Sequence, residues 1–151
     1  SYFLERAACE RHGIRMIDFA VRSRAAPSKK ELRDIRELFE HVEYPILLHC
    51  KSGADRAGLM SVFYRFLKQG VPLAEATGQL SMRFGHFRQA DTGVLDAFFE
   101  RYLADSAKRP MPFYDWVETV YDPEELKRTF MTSGWVSGWT NRLVNSVLRR
   151  E

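Results

Sequence analysis

Tyr44–Gly58, YPILLHCKSGADRAG, is the stretch whose reading decides this chain. It opens with a short apolar run, Ile46-Leu47-Leu48, then gives His49-Cys50, five residues, and Arg56. Beyond Arg56 the pattern turns helical and almost wholly apolar, with Leu59, Met60, Val62, Phe63, Phe66 and Leu67 covering most of the circumference. The stretch therefore reads as a strand, a tight loop and a buried helix. A tight loop entering a helix turns backbone N–H groups and the positive helix end toward one point, which suits an anion. Gly53 permits the turn, and Gly58 lets the helix pack closely. Arg56 offers a planar fork for two phosphate oxygens. The same field favours a thiolate, so Cys50 is expected to be nucleophilic near neutral pH.

Working outward, Ser28 begins a helix with the S-x-x-E capping box (Ser28, Glu31) and an apolar face of Leu32, Ile35, Leu38, Phe39 and Val42. Ile14–Phe19 before it is rich in β-formers, so Ile14–Phe19, the helix and Tyr44–His49 read as a βαβ unit with parallel strands. The fold class expected is α/β, a central parallel-containing sheet flanked by helices. A short helix from Ser1 to His12 comes first. Helices follow from Pro72 to about Phe84, from Asp91 or Thr92 through Leu103, over Phe113–Val120 and Asp122–Phe130, and from about Trp139 to Arg150. Residues 1–107 are read as one domain and 108–151 as a helical C-terminal extension. Two strand candidates alone make a marginal sheet, so further strands are expected upstream of Ser1.

Composition narrows the chemistry. The net charge is +3 and the pI about 9.0, with the basic residues scattered, which suits an anionic substrate better than nucleic acid. Two cysteines, Cys9 and Cys50, make a disulfide framework a poor reading. The four histidines are spread singly, so neither a metal nor a cofactor is expected. No apolar stretch is long enough to span a bilayer. A cytoplasmic protein is expected. Trp135, Trp139, Leu143, Val147 and Leu148 give residues 135–150 an amphipathic pattern, read first as a packing helix and second as a peripheral membrane contact.

His49-Cys50-Lys51-Ser52-Gly53-Ala54-Asp55-Arg56 resembles the H-C-x5-R signature loop of the cysteine-based protein tyrosine and dual-specificity phosphatases. The resemblance covers roughly residues 14–103. It implies a dual-specificity phosphatase-like fold and phosphomonoester hydrolysis in two steps without metal. Cys50 attacks phosphorus, and residues 51–56 (Lys51, Ser52, Gly53, Ala54, Asp55, Arg56) hold the phosphoryl group. An aspartic acid protonates the leaving oxygen and then activates water. His49 supports the loop, a structural role. Asp18 is the preferred acid because it ends the strand parallel to the one that ends at Cys50, and such ends share one sheet edge. Its interval to Cys50, thirty-two positions, also resembles that of dual-specificity phosphatases. Asp55 is the runner-up, since C-x-x-G-x-D-R resembles myotubularins and certain bacterial lipid and tyrosine phosphatases.

Two positions depart from the family pattern or refine it. Ala57 stands where Ser or Thr usually helps the thiolate leave, so slow breakdown of the intermediate is expected. A phospho-ligand-binding pseudophosphatase with little turnover is therefore the alternative reading. Lys51 resembles the basic residue of phosphoinositide phosphatases. The substrate is left between a phosphorylated protein (tyrosine, serine or threonine) and an inositide or lipid phosphate. Arg83, His86 and Arg88 (RFGHFR) are read first as a basic surface segment and second as residues near the cleft.

Overall fold

The computed structural model describes residues 2–132. Seven α-helices follow in chain order: α1 (Tyr2–Arg11), α2 (Lys29–His41), α3 (Asp55–Leu67), α4 (Leu73–Ala76), α5 (Val94–Lys108), α6 (Phe113–Thr119) and α7 (Pro123–Thr132). Single 3₁₀ turns lie at Thr77–Gln79, Met82–Phe84 and Asp91–Gly93. The last helix expected from the sequence, and the amphipathic residues 135–150, lie outside the described residues.

The expected central sheet is not present: no strand occurs among the described residues, and the architecture there is helical. The two segments read as strands are irregular chain. The second of them, residues 44–49, does alternate in burial. Ile46 and Leu48 pack against the core while Leu47 between them is 86% exposed. In the first, Phe19 packs inward and Ile14 and Ile17 are exposed, and since Ile17 and Phe19 stand two residues apart this segment does not alternate. Period-two alternation reports a half-buried extended segment. A strand also needs a neighbour to complete its hydrogen-bond ladder, and two short segments make a ladder too weak to stand by itself.

The helices form where local chemistry specifies them. Ser28 caps α2 with both halves of the capping box: its side chain accepts from the Glu31 N–H, and the Glu31 carboxylate accepts from the Ser28 N–H at 2.8 Å. Arg22 adds a bond to the same carboxylate at 2.6 Å. Burial alone would raise the Glu31 pKa; the Arg22 and Ser28 bonds outweigh it and hold the group at about 2. Leu32, Ile35 and Phe39 of α2 are wholly buried against α3.

α3 lies in the middle of the core. Its Phe63 packs edge-on or tilted against Phe99 of α5 and Phe113 of α6. Phe98 of α5 contacts Trp116 and Tyr121 in the same way. Residues 113–130 thus share one buried cluster with α2, α3 and α5. Such rings prefer this geometry because ring edges are positive and ring faces negative.

The helix expected from Pro72 to Phe84 is interrupted. α4 ends at Ala76 and gives way to 3₁₀ turns, because Gly78 and Ser81 are weak helix formers. The interruption brings the Gln79 carbonyl to 3.2 Å from where a Cβ on Gly58 would lie, so the close approach expected of Gly58 is present.

A tighter case is Gly93, which is buried at the entry to α5. A Cβ there would lie 2.0 Å from the Arg88 carbonyl oxygen. Gly93→Ala must displace backbone, and a loss of about 2–3 kcal/mol is expected. Urea denaturation checks this; an unchanged midpoint would show that the 88–93 turn yields freely.

Candidate active site

The inward register of Ile46 and Leu48 continues to Cys50, which is half-buried between exposed His49 and Lys51. The chain then turns at Gly53, whose φ of +69° is a conformation that side-chain-bearing residues enter only at a cost. Ala54 follows, buried and still outside the helical region (φ −99°, ψ −85°), and α3 begins at Asp55. Asp55 and Arg56 therefore belong to the first helical turn, two residues earlier than the sequence pattern suggested.

This geometry acts on the thiol. Burial alone would push the Cys50 thiol up. The backbone N–H groups of Ala57, Ser52 and Gly53, together with the Arg56 charge, outweigh burial and bring it below the ordinary cysteine value. Hydrogen-bond donors and a nearby cation both favour the charged form. Lys51 and Ser52 are exposed on the loop, Arg56 is half-buried, and Ala54 and Asp55 are buried.

His49 pairs with a carboxylate on α1: its Nε2 lies 2.6 Å from Oε1 of Glu5. Asp18 is exposed, and its carboxylate accepts a hydrogen bond from the Tyr2 hydroxyl at 2.6 Å. The parallel-strand argument that selected Asp18 falls with the sheet. A different relation replaces it. Tyr2 and Glu5 are three residues apart on α1, hence neighbours on one helix face. Asp18 and the residue preceding Cys50 thus contact the same turn of α1.

Asp55 is placed differently. Its Oδ1 lies 2.7 Å from Nδ1 of His86, and Nε2 of His86 lies 2.7 Å from Oδ2 of Asp96 on α5. His86 is 1% exposed, so the expectation of a basic surface segment is corrected at this residue. With a carboxylate acceptor on each nitrogen, both nitrogens carry protons and the ring is an imidazolium. Burial would lower the His86 pKa; the bonds to Asp55 and Asp96 outweigh it and raise the group to about 9.

The sequence carries no local mark of this contact. The partners stand thirty-one residues before His86 and ten after it, and no spacing rule links them.

A cleft of about 490 Å³, lined in part by Arg15, Ile17, Leu38 and His41, runs between residues 15–19 and α2 and includes none of residues 49–56. Among the described residues no group of acidic, histidine or cysteine side chains could hold a metal ion, and no helix is long and apolar enough to cross a membrane.

A family model described as "DSP-PTPase phosphatase fused to NAD+ kinase" matches residues 2–95, more than half of the chain. The chain belongs to this PTP-NADK family. The match spans α1, Asp18, the whole Cys50–Arg56 loop and His86, and ends one residue before Asp96. Membership in this family identifies a dual-specificity phosphatase-like domain and, with it, a phosphatase type of function. No curated protein and no solved structure matches the chain.

Proposed function

We propose that the chain hydrolyses phosphomonoesters through a phosphocysteine at Cys50. The observation that carries the reading is the half-buried thiol ringed by the N–H groups of Ser52 and Gly53 in the loop, of Ala57 in the first turn of α3, and by Arg56, which together hold it below its ordinary pKa. The Cys50 thiolate attacks phosphorus, the P–O bond to the leaving group breaks, and the electron pair leaves with that oxygen. Arg56 and the loop N–H groups stabilise the charge on the equatorial oxygens. Asp18 gives its proton to the leaving oxygen. In the second step it takes a proton from water as the water oxygen attacks phosphorus, the S–P bond breaks, and Cys50 leaves as the thiolate with phosphate released. That role is supported by its exposure, and by its contact with the same turn of α1 that holds His49.

The substrate class is a phosphorylated protein or an inositide or lipid phosphate, the latter favoured by Lys51 exposed at the start of the loop. The family description couples this domain type to an NAD+ kinase, so phosphorylated NAD+ joins the panel to be tested. The deciding experiment is hydrolysis of an aryl phosphate at mildly acid pH, followed by phosphopeptides, inositides, phospholipids and phosphorylated NAD+. No turnover on any of them, with intact phosphate binding, would move the chain to the pseudophosphatase reading. That second reading rests on Ala57, which meets the thiol with a backbone N–H and has no hydroxyl.

Asp18→Asn is expected to lower kcat by about 10²–10⁴-fold on an alkyl phosphate. The loss on an aryl phosphate with a stable phenolate should be much smaller, because that leaving group needs little protonation. Equal losses on the two substrates would remove Asp18 from the acid role. Ala57→Ser is expected to speed breakdown of the phosphoenzyme and shrink any burst seen on rapid quench. An unchanged burst would show that residue 57 does not govern that step.

A further inference from the structure

The loop that surrounds Cys50 turns N–H groups onto the thiol, contains Gly53 in the left-handed region followed by Ala54 outside the regular regions, and leaves Lys51, Ser52 and Gly53 exposed. An irregular residue such as Ala54 persists only when its surroundings hold it. At the far end of the loop Ala54 and Asp55 are buried, and the polar one is Asp55, immediately before Arg56, 6% exposed. His86 stands between it and Asp96 of α5, 2.7 Å from each carboxylate. Asp96 lies in the first turn of α5, beside Leu95 and close to Phe98 and Phe99, all essentially inaccessible to solvent. α5 is thus among the most firmly seated elements of the core.

We infer that His86 is a positioning residue for the phosphate-binding loop, acting as a cationic bridge that fastens Asp55, and through it Arg56 and the N-terminal turn of α3, to α5. The inference rests on the reading of Cys50–Arg56 as that loop.

Three features support it. The bridge is charge-assisted at both ends, the strong form of hydrogen bond. The imidazolium is buried, where a lost partner is costly, so the arrangement resists drift. Asp55 is engaged at the carboxylate, and a group held as an anion by an imidazolium is poorly suited to deliver a proton. Asp55 then serves the loop and leaves proton transfer to Asp18. Arg56 is the neighbour whose direction matters most, since a fork displaced by about 1 Å no longer meets two phosphate oxygens, at a cost of roughly 100-fold.

The test uses His86→Leu and the milder Asp96→Asn in the whole chain, each first shown to be folded by circular dichroism. Two readouts follow the loop itself: the pH dependence of Cys50 alkylation by iodoacetamide, and protection of Cys50 by inorganic phosphate. In His86→Leu the alkylation midpoint is expected to move to higher pH, and half-protection to need roughly tenfold more phosphate or beyond. Asp96→Asn is expected to move both in the same direction by less.

A role confined to stability would lower the unfolding midpoint and leave both readouts of the folded protein unchanged, and that result would overturn the inference. If the parent hydrolyses nothing while the variants still shift the alkylation profile, the catalytic reading fails and the bridge stands. If neither variant folds, the unmodified protein decides. Inorganic phosphate should shift the His86 ring resonances with the same saturation curve that protects Cys50. Ring signals that stay fixed while Cys50 becomes protected would overturn the bridge.

Discussion

Cys50→Ser is expected to abolish hydrolysis, with a fall on the order of 10⁴-fold or more in kcat. The reason is chemical. On the proposed route the thiolate is the nucleophile, and the backbone N–H groups and Arg56 favour it over the thiol. A serine hydroxyl ionises far too weakly to benefit from the same field. No phosphoenzyme should be trapped on rapid quench of this variant, although phosphate binding should persist, because the donors remain. Arg56→Lys separates the two contributions. It keeps the positive charge and loses the planar fork, so a fall of about 10²–10³-fold is expected, most of it in kcat. The measurements are steady-state hydrolysis of an aryl phosphate and a rapid-quench time course. Cys50→Ser retaining more than a few per cent of parental kcat would reject the phosphocysteine route.

The second large effect is on stability. His86→Ala removes the cation between Asp55 and Asp96 and leaves two largely buried carboxylates without it. A loss of about 3–5 kcal/mol is expected, a large share of what a domain this size possesses. The parent should also carry a pH signature. The folded-state pKa of His86 is raised, from 6.5 to about 9. Such a group stabilises fully below its unfolded value and loses that contribution as pH rises through its folded value. Stability should therefore decline from about pH 6.5 to about pH 9 by an amount on the order of 3 kcal/mol. Glu31 acts with the opposite sign. Its pKa is depressed from 4.5 to about 2, so its contribution is present above 4.5 and fades as pH falls toward 2. Together they put the most stable range between about pH 4.5 and 6.5. Urea denaturation at pH 6, 7.5 and 9 checks the basic limb. A parent profile that is flat across it, or one matched by His86→Ala, would show that His86 is not an imidazolium in the fold.

What could be read in advance follows the range of the interactions. Ser28 and Glu31 are three residues apart, and the capping box they suggest is present on both sides. Gly53, Arg56 and the helix after them are close in sequence to Cys50, so the donors around the thiol could be anticipated from the order of residues. The sheet could not be read in the same way. An apolar run such as Ile46-Leu47-Leu48 suggests extended chain, while its hydrogen-bond partners lie at no fixed distance in sequence. Asp18 shows the cost: it was selected through a sheet edge that is absent, and its contact with α1 through Tyr2 had no sequence signal.

By itself, then, the sequence determined the Cys50–Arg56 loop, its turn at Gly53 and the helix that receives it, because these depend on neighbours within a few residues. Only the tertiary structure decided that residues 14–19 and 44–49 run as irregular chain, and that Asp55 is tied through His86 to Asp96. Those outcomes depend on which distant segments meet. A buried charge makes the point most plainly: His86 can remain an imidazolium in the interior only because folding brings two carboxylates to its two nitrogens.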